Sequence, residues 1–189
     1  MQPSPRTPSF VVAKMHGAGN DFCVLEGGAP ENDGVVRALA DRRTGIGADG
    51  VLFLERLDAP GALRMHFYNA DGSRAGLCLN GSRCVALRAV QLGWADREVE
   101  IHTDHQILRA SVVPDDGGRT GRVTLEIDPP RAVTRWLDLP AGAAASRGAF
   151  VDTGDPHLVV EVDGFEHFVD RARALRHDAV LGPAGANVH

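Results

Sequence analysis

The chain has 189 residues, 43% of them hydrophobic, which is enough for one large domain or two small ones that each bury a core. A formal net charge of −5 argues against a nucleic-acid partner and against an anionic membrane surface. Three cysteines, an odd number, do not make a disulfide framework, so we expect a reducing, cytoplasmic compartment, and no apolar run approaches the roughly 20 residues that a membrane span requires.

The N-terminal region predicts a loose tail followed by two strands. Residues 1–9 contain three prolines and no apolar core, a composition that fits neither a signal peptide nor a strand. Phe10–Ala13 and Phe22–Leu25 are predicted strands, separated by a glycine-rich turn over His16–Asp21. The Gly-x-Gly of this turn is a weak nucleotide-binding signal, because the full dinucleotide fingerprint and the P-loop lysine are absent from the sequence.

An amphipathic helix and two further strands are predicted next. Asp33–Arg43 has its apolar residues at helical spacing. Val51–Leu54 and Leu63–Tyr68 have the composition of strands. The second of these strands alternates well enough to predict that one of its faces is exposed to solvent.

The stretch from Asn69 to Leu92 combines a polar loop with a helix. The loop begins with Asn-Ala-Asp-Gly-Ser over Asn69–Ser73 and leads to Cys78, and the run that follows has few strongly polar residues. A helix with so narrow a polar face is normally enclosed by the rest of its domain. We therefore predict a buried central helix that starts near the cysteine and ends at Gly93.

Cys78 is expected to be chemically activated by its place at the helix start. The unpaired backbone N–H groups and the positive end of the helix dipole favour a thiolate, which lowers the thiol pKa from about 8.5. The N–H groups of Leu79, Asn80 and Gly81 also offer a binding site for a carboxylate. A lone cysteine beside a helix is more often a small buried hydrophobic residue, and we expect Cys84, about two turns into the motif, to pack in that way.

The region after the central helix predicts strands joined by short turns. The predicted strands are Val99–Thr103, Ile107–Val113 and Arg122–Ile127. Pro114–Gly118 is a predicted hairpin tip. His102 and His105 have a spacing that could suit a metal on a helix, but they lie in strand and turn without a further ligand nearby in the sequence, so we predict no metal site.

Asp128–Pro130 is the predicted crossing point between two domains, which comprise residues 10–128 and residues 129–189. The alanine-rich stretch Ala141–Gly148 is expected to be a surface loop. The second domain is also predicted to contain two strands on either side of Gly154–His157, followed by a helix. These elements are Phe150–Val151, Leu158–Val162 and Phe165–Arg176.

Two segments in the second half of the chain are similar in sequence to segments in the first half. Gly19–Glu26 aligns with Gly154–Glu161 at an offset of 135 residues. Gly47–Val51 aligns less exactly with Gly185–Val188, at an offset of 138 and with one residue skipped. Coincidence between glycine turns is the competing explanation. If the repeat is real, extending it to a second cysteine leads to position 216, beyond His189, and predicts that the second domain is incomplete.

These motifs resemble those of the diaminopimelate epimerase family, whose members invert one α-carbon of diaminopimelate without a cofactor. The catalytic segment of that family resembles Asn69–Ser73 together with Cys78–Cys84. Further family-like blocks are Lys14–Phe22, Arg43–Gly50, Gly154–His157 and Gly185–Asn187. The resemblance implies an α+β fold of two pseudo-symmetric domains, each a mostly antiparallel sheet wrapped around a central helix, with the second domain incomplete.

The resemblance also implies roles for individual residues. Cys78 would exchange a proton on one face of the α-carbon, and His157 would support its ionisation. Family members use a second cysteine on the opposite face, and since this sequence has no counterpart, we expect impaired activity. The implied substrate-binding residues are Asn20, Asn69, Leu79, Asn80, Gly81, Asp155 and Asn187. Leu79 stands where the family usually has glycine, and Asp155 stands where it usually has asparagine.

The function implied by the resemblance is epimerisation of LL- to meso-diaminopimelate in lysine and peptidoglycan-precursor biosynthesis. We expect a small amino-acid substrate and no cofactor, metal, nucleic acid or membrane, and the resemblance adds a homodimer as a further expectation. Two other functions stay open. One is a related cofactor-independent isomerase, such as a proline racemase or a phenazine-biosynthesis-type isomerase, and the other is a non-catalytic protein that binds an amino acid.

Overall fold

The computed structural model describes residues 11–30, 32–140, 145–183 and 185–189. The chain divides into two compact units, residues 1–127 and residues 128–189. The predicted tail over residues 1–9, Phe10 of the first predicted strand and residues 141–144 of the predicted loop lie outside the described residues.

In the described part of the first unit, eight strands form one sheet and two helices pack against it. The strands are β1 Val12–Gly17, β2 Asn20–Glu26, β3 Gly50–Arg56, β4 Ala62–Asn69, β5 Arg74–Ala75, β6 Glu98–His102, β7 Ile107–Pro114 and β8 Gly121–Glu126. The helices are α1 Gly34–Ala40 and α2 Leu79–Gln91. The order across the sheet is β1-β2-β3-β4-β6-β7-β8, with β5 paired to β4. The pairs β2–β3 and β4–β6 are parallel and the others are antiparallel.

The sheet supplies side chains to two hydrophobic cores, one on each face. Leu52 and Leu54 of β3 belong to the core around α2, whereas Val51 and Phe53 belong to the core that contains Val36 of α1. Successive strand residues point to opposite faces, so β3 divides its residues evenly between the two cores. The centre of the sheet is therefore buried on both sides.

The predicted solvent-exposed face of β4 is wrong. Met65 and Phe67 pack in the core around α2, and Tyr68 packs on the other face in the core that contains α1. His66 lies on the same face as Tyr68 and is only 7% exposed. The alternation of polar and apolar residues in β4 is real, but Tyr68, on the face that carries the polar residues, joins a core with residues of α1, which lies much earlier in the chain.

β1 and β2 form a hairpin whose turn is shorter than the predicted His16–Asp21. The turn residues are Ala18 and Gly19, with φ angles of 56° and 85°. Positive φ at both central positions is what a two-residue type I′ turn requires. Asn20 is paired with Gly17 across the hairpin, so it begins a strand instead of lying in a loose glycine-rich loop.

α2 is the buried central helix that the sequence predicts. It begins at Leu79, directly after Cys78, and Val85 and Ala86 in its middle are fully buried. Gly93 has a φ of 69°, the left-handed conformation in which many helices end. The predicted start near the cysteine and the predicted stop at the glycine are both confirmed.

The other two helices are shorter than predicted. The predicted helix over Asp33–Arg43 ends at Ala40, because Asp41 is extended and its side chain accepts hydrogen bonds from the next backbone N–H groups. The predicted helix from Phe165 begins three residues later, since His167 has a φ of 54° and lies outside the helical region.

The described part of the second unit contains a four-stranded sheet in the order β12-β11-β10-β9, with a helix after β11. Its elements are β9 Ala132–Asp138, β10 Arg147–Asp152, β11 Pro156–Val160, α3 Phe168–Arg176, a 3-10 turn Ala179–Leu181 and β12 Asn187–Val188. The sequence does not predict β9. The pairing of β9 with β10 shifts register between Gly148 and Phe150, and Trp136 has a φ of 60°, so this strand is bulged and lacks a regular alternation.

The two units repeat the same order of elements. An antiparallel hairpin is followed by a helix and then by a strand parallel to the second strand of the hairpin, as β1-β2-α1-β3 and again as β10-β11-α3-β12. Phe22 pairs with Gly50 in the first unit, and His157 pairs with Asn187 in the second, at offsets of 135 and 137 residues. These matched registers support a real repeat, and the predicted α+β, pseudo-symmetric fold is confirmed.

Candidate active site

Cys78 is the N-cap residue of α2. Its backbone is extended, with φ of −148°, and its Sγ accepts a hydrogen bond from the Gly81 N–H at 3.3 Å. The carbonyl oxygen of Cys78 accepts bonds from the N–H and the hydroxyl of Ser82 at 2.8 and 2.9 Å. The residue is only half-buried. The sulfur is thus held at the positive end of the helix dipole and remains accessible, which favours its thiolate form.

Cys84 and Cys23 show the opposite environment. Both are buried, at 3% and 0% exposure, and each packs in one of the two cores of the first unit. Burial raises the pKa of Cys84 to about 11 and also raises the pKa of Cys23. The prediction that Cys84 packs as a small hydrophobic residue is confirmed, and the two buried thiols stay protonated at neutral pH.

Asn20 places an amide oxygen beside the thiol. The Sγ of Cys78 lies 4.0 Å from Asn20 Oδ1, and Asn80 Nδ2 donates to the same oxygen at 3.4 Å. The amide nitrogen of Asn20 donates to Asp49 Oδ2 at 2.9 Å. Because a carboxylate can only accept, this contact determines which end of the amide faces the cysteine.

Lys14, Asp21, Arg42 and Asp49 form a charged cluster. This cluster contacts the amide nitrogen of Asn20 through Asp49. Arg42 Nη2 lies 2.7 Å from both Asp49 Oδ1 and Asp21 Oδ1, and Lys14 Nζ lies 2.8 Å from Asp21 Oδ2. Arg42 and Lys14 hold the pKa of Asp21 well below its usual range, and the two carboxylates raise the pKa of Arg42. No sequence pattern predicts a role for these residues, although Asp21 directly follows Asn20 and Asp49 lies in a family-like block.

The helix start is closely packed around Asn80. A Cβ atom at Gly17 would lie 2.7 Å from the carbonyl oxygen of Asn80, so only glycine lets the end of β1 approach the first turn of α2 this closely. Arg83 Nη2 donates to the Asn80 side-chain oxygen. Leu79, the residue that departs from the usual glycine, packs against the core around α2. Of the three N–H groups predicted to bind a carboxylate, that of Gly81 is bonded to Cys78 in this structure.

Asn69 holds the loop that precedes the cysteine. Its amide nitrogen donates to Ser73 Oγ at 3.0 Å, and its backbone N–H donates to the Ser73 carbonyl at 2.9 Å. Asp71 accepts bonds from the N–H and hydroxyl of Ser73 at 2.8 and 2.6 Å. The described contacts of Asn69 therefore order the loop, and its role in substrate binding stays a prediction.

The second unit brings together the other predicted site residues. His157 and Asn187 are paired between β11 and β12, and His157 Nδ1 lies 2.9 Å from His189 Nε2. Arg176 donates to the side-chain oxygen of Asn187. Asp155 lies immediately before β11, and its carbonyl oxygen accepts a hydrogen bond from the Thr153 N–H. No sequence pattern predicts the contacts of Arg176 and His189. The role of His157 towards Cys78 stays a prediction.

Two surface cavities of the first unit lie along β1. The first has a volume of about 540 Å³, and the second about 660 Å³. The first is lined by residues of β1, α2 and β8, including Arg83 and Cys84, and the second by the charged cluster around Arg42. Cys78 is not among the lining residues of either cavity. Neither of these two cavities therefore contains the thiol of Cys78.

The described residues show neither a cluster of metal ligands nor a membrane-spanning helix. Within the described ranges, no three histidine, cysteine, aspartate or glutamate side chains come together to hold a metal ion. His102 is instead 2.8 Å from Glu100. None of the helices in the described part of the chain combines the length and the apolar character needed to cross a membrane.

Comparison with known sequences gives one consistent result. A family model described as diaminopimelate epimerase matches residues 12–133. Three relatives that carry the same name come from Aquifex aeolicus (32% identity over 93% of this chain), Rhodospirillum centenum (39% over 90%) and Xanthomonas oryzae pv. oryzae (35% over 100%). This chain spans 66, 58 and 71% of the lengths of these three relatives, respectively.

Comparison with solved structures identifies the same fold. A probable proline racemase from Agrobacterium radiobacter superposes with a TM-score of 0.61 at 17% identity, covering 92% of this chain and 58% of the racemase. A predicted epimerase from Pseudomonas aeruginosa gives a TM-score of 0.59 at 16% identity, covering 90% of this chain and 63% of that protein. At such low identity these similarities establish the fold alone.

Proposed function

The chain belongs to the diaminopimelate epimerase family, and from that premise we propose that its first unit carries a thiol acid–base group that exchanges the α-proton of diaminopimelate. The observation that carries the proposal is the position of Cys78, which is half-buried, caps α2 and has its Sγ bonded to the Gly81 N–H at 3.3 Å. The two buried cysteines of the same unit offer no such environment.

The chemistry follows from this geometry. An α-proton is weakly acidic, so inversion requires a base on one face of the carbon and an acid on the other. In the proposed step the Cys78 thiolate takes the α-proton and becomes a thiol, while negative charge moves from the α-carbon onto the carboxylate. Backbone N–H groups at the start of α2 would bind that carboxylate and stabilise the developing charge.

The substrate contacts are part of the same proposal. Asn20 Oδ1, already 4.0 Å from the sulfur and 3.4 Å from Asn80 Nδ2, would accept a hydrogen bond from the substrate ammonium group. We assign the remaining binding positions to Asn69, Leu79, Asp155 and Asn187, and the support of Cys78 ionisation to His157. No cofactor enters the proposed step, because the Cys78 thiolate removes the α-proton and the start of α2 stabilises the charge that develops.

A cytoplasmic location is a further part of the proposal. Cys23, Cys78 and Cys84 are all thiols and form no disulfide among the described residues, a state that a reducing compartment preserves. Fractionation of cells that express the protein, with detection by an antibody, would test this location.

The experiment that tests the function is α-proton exchange in deuterated water. Purified protein is incubated with LL-diaminopimelate, and deuterium incorporation at the α-carbon is followed by NMR. We expect exchange with the wild-type chain even where inversion is impaired, because one thiol can remove the α-proton and return deuterium on the same face. We expect no exchange with Cys78→Ser and retained exchange with Cys84→Ser. Exchange that survives Cys78→Ser would contradict the assignment of the base.

The two other functions predict different results in the same experiment. A related isomerase would exchange the α-proton of another amino acid in a panel that includes proline and hydroxyproline, and leave diaminopimelate untouched. A binding protein would give a calorimetric signal with an amino acid and no exchange.

A further inference from the structure

The thiol-bearing loop turns back onto β4 before it reaches α2. After the turn that follows Asn69, β5 pairs with β4 in antiparallel register, with Arg74 opposite Tyr68. Gly76 and Leu77 then lead directly to Cys78. Because only three residues separate Arg74 from the cysteine, the position of β5 limits how far the sulfur can move.

Arg74 is held by several contacts at once. Its Nε and Nη2 atoms donate to the two carboxylate oxygens of Asp104 at 2.6 and 2.8 Å. The same Nη2 lies 3.2 Å from Nδ1 of the buried His66, and the guanidinium carbon lies 5.9 Å from the centre of the Tyr68 ring. An isolated exposed ion pair adds little stability, but a two-point contact between arginine and a carboxylate specifies a direction as well as a distance.

Gly76 makes a second contact, with His105, the residue that follows Asp104. A Cβ atom added at Gly76 would lie 1.7 and 1.8 Å from the Cδ2 and Nε2 atoms of His105. The imidazole therefore lies directly on the backbone of Gly76, and a side chain at position 76 would displace it. Asp104 and His105 are consecutive, so one turn contacts the loop at two points.

The turn that carries Asp104 and His105 is well ordered by its own hydrogen bonds. Thr103 is buried, and its hydroxyl donates to the Gln106 carbonyl at 2.7 Å. The same oxygen accepts from the N–H groups of His105 and Gln106 at 3.2 and 3.0 Å. β6 and β7 continue from either side of this turn and are anchored in the sheet. The turn is therefore a firm support for the loop.

We propose that Asp104 and His105 are positioning residues for the catalytic thiol: through Arg74 and Gly76 they hold Cys78 at the N–H groups of α2. Neither residue is proposed to touch the substrate. The inference rests on the proposed function, in which Cys78 is the acid–base group. Near-attack geometry is demanding, and a displacement of about 1 Å can reduce a rate by about a hundredfold.

Alkylation of Cys78 with iodoacetamide, followed over a range of pH by peptide mass spectrometry, tests the proposal. The midpoint of the rate profile reports thiolate formation at this one residue. If the loop is released, the sulfur moves away from the Gly81 N–H, and the midpoint rises towards the value of about 8.5 for an ordinary cysteine. We expect both Arg74→Ala and Asp104→Ala to raise the midpoint and to slow alkylation at neutral pH about threefold or more.

The two single variants also separate positioning from simple charge. Removing a cation disfavours a nearby thiolate, whereas removing a carboxylate favours it, so an effect of charge alone would shift the midpoint in opposite directions. Loss of positioning raises the midpoint in both Arg74→Ala and Asp104→Ala. The exchanged pair Arg74→Asp with Asp104→Arg should restore the midpoint towards that of the wild type. Opposite shifts, or unchanged midpoints, would overturn the proposal.

The contact of Gly76 with His105 gives an independent set of variants. Gly76→Ala should raise the midpoint, and combining it with His105→Ala should recover part of the shift because the added methyl group then has space. Gly28→Ala is the matched control, since an added Cβ at Gly28 meets no atom within 4 Å. A thermal unfolding scan of each variant identifies loss of folding. Variants that unfold at lower temperature but keep the wild-type midpoint would show a purely structural role and refute the proposal.

This readout does not require epimerase activity. If the wild-type chain fails to exchange α-protons but the variants shift the midpoint as expected, the positioning role stands and the proposed function fails. If α-proton exchange is observed and the midpoint does not move, the positioning role fails and the proposed function stands.

Discussion

The side-chain amide of Asn20 donates to Asp49 Oδ2 at 2.9 Å, and this one bond turns the amide oxygen of Asn20 towards Cys78. Asp49 lies immediately before β3, which runs parallel to β2, the strand that begins at Asn20. Parallel pairing therefore brings the Asp49 carboxylate to the amide nitrogen of Asn20, a predicted substrate-binding residue. Arg42 Nη2 contacts the other carboxylate oxygen of Asp49, Oδ1, at 2.7 Å.

Asp49→Asn should slow α-proton exchange about tenfold, because an asparagine can donate as well as accept and no longer determines the orientation of Asn20. The rate of deuterium incorporation measures the effect. Asp58→Asn, at an exposed aspartate between β3 and β4, is the matched control and should leave the rate unchanged. Equal rates for the two variants would show that Asp49 does not orient Asn20.

Asp21→Asn should destabilise the first unit in a pH-dependent way. Arg42 and Lys14 hold the pKa of Asp21 well below its usual range in the folded protein. A carboxyl group with a lowered folded pKa contributes stability above its unfolded value of about 3.9 and loses it as the pH falls towards the folded value.

Thermal unfolding at several pH values checks this prediction. The wild type should unfold a few degrees above Asp21→Asn at neutral pH, and the gap should narrow as the pH is lowered below about 4. A gap that is constant over this range would mean that the contribution of Asp21 does not depend on its charge.

Gly17→Ala should disturb the start of α2. The added Cβ would lie 2.7 Å from the Asn80 carbonyl oxygen, a backbone atom that cannot rotate away. We expect a loss of about 1–3 kcal/mol in the free energy of unfolding, the usual cost of overpacking, measured by urea denaturation. Gly28→Ala, where the added atom meets no neighbour within 4 Å, should change the free energy far less. Equal losses for the two variants would argue against a close approach at Gly17.

Iodoacetamide should distinguish the cysteines at neutral pH. The thiolate is the reacting form, and burial raises the pKa of Cys84 to about 11, so Cys78 should react at least about tenfold faster than Cys84. Peptide mass spectrometry after short exposure to the reagent measures both rates in one sample. Faster modification of Cys84 would contradict the half-buried, helix-capping position of Cys78.

The elements that the sequence predicts correctly are those whose signal is local. Cys78 at the helix start and Gly93 at the helix end follow from a polar loop, an apolar run and a glycine, all within one short stretch. The repeat was visible for the same reason, because equivalent hairpins carry equivalent glycine-rich segments. The sequence does not predict β9, because its bulge and the positive φ of Trp136 interrupt the alternation of apolar and polar residues on which strand prediction depends.

The sequence by itself determined the family resemblance, the α+β class and the thiol at the start of a buried helix, since these depend on residues close together in the chain. Tertiary structure alone decided that Tyr68 of β4 joins a core with α1, that Asp49 orients Asn20 and that the turn with Asp104 and His105 contacts Arg74 and Gly76. Such contacts join residues about 30 positions apart, and the pairing of strands that creates them leaves no periodic signal in the sequence.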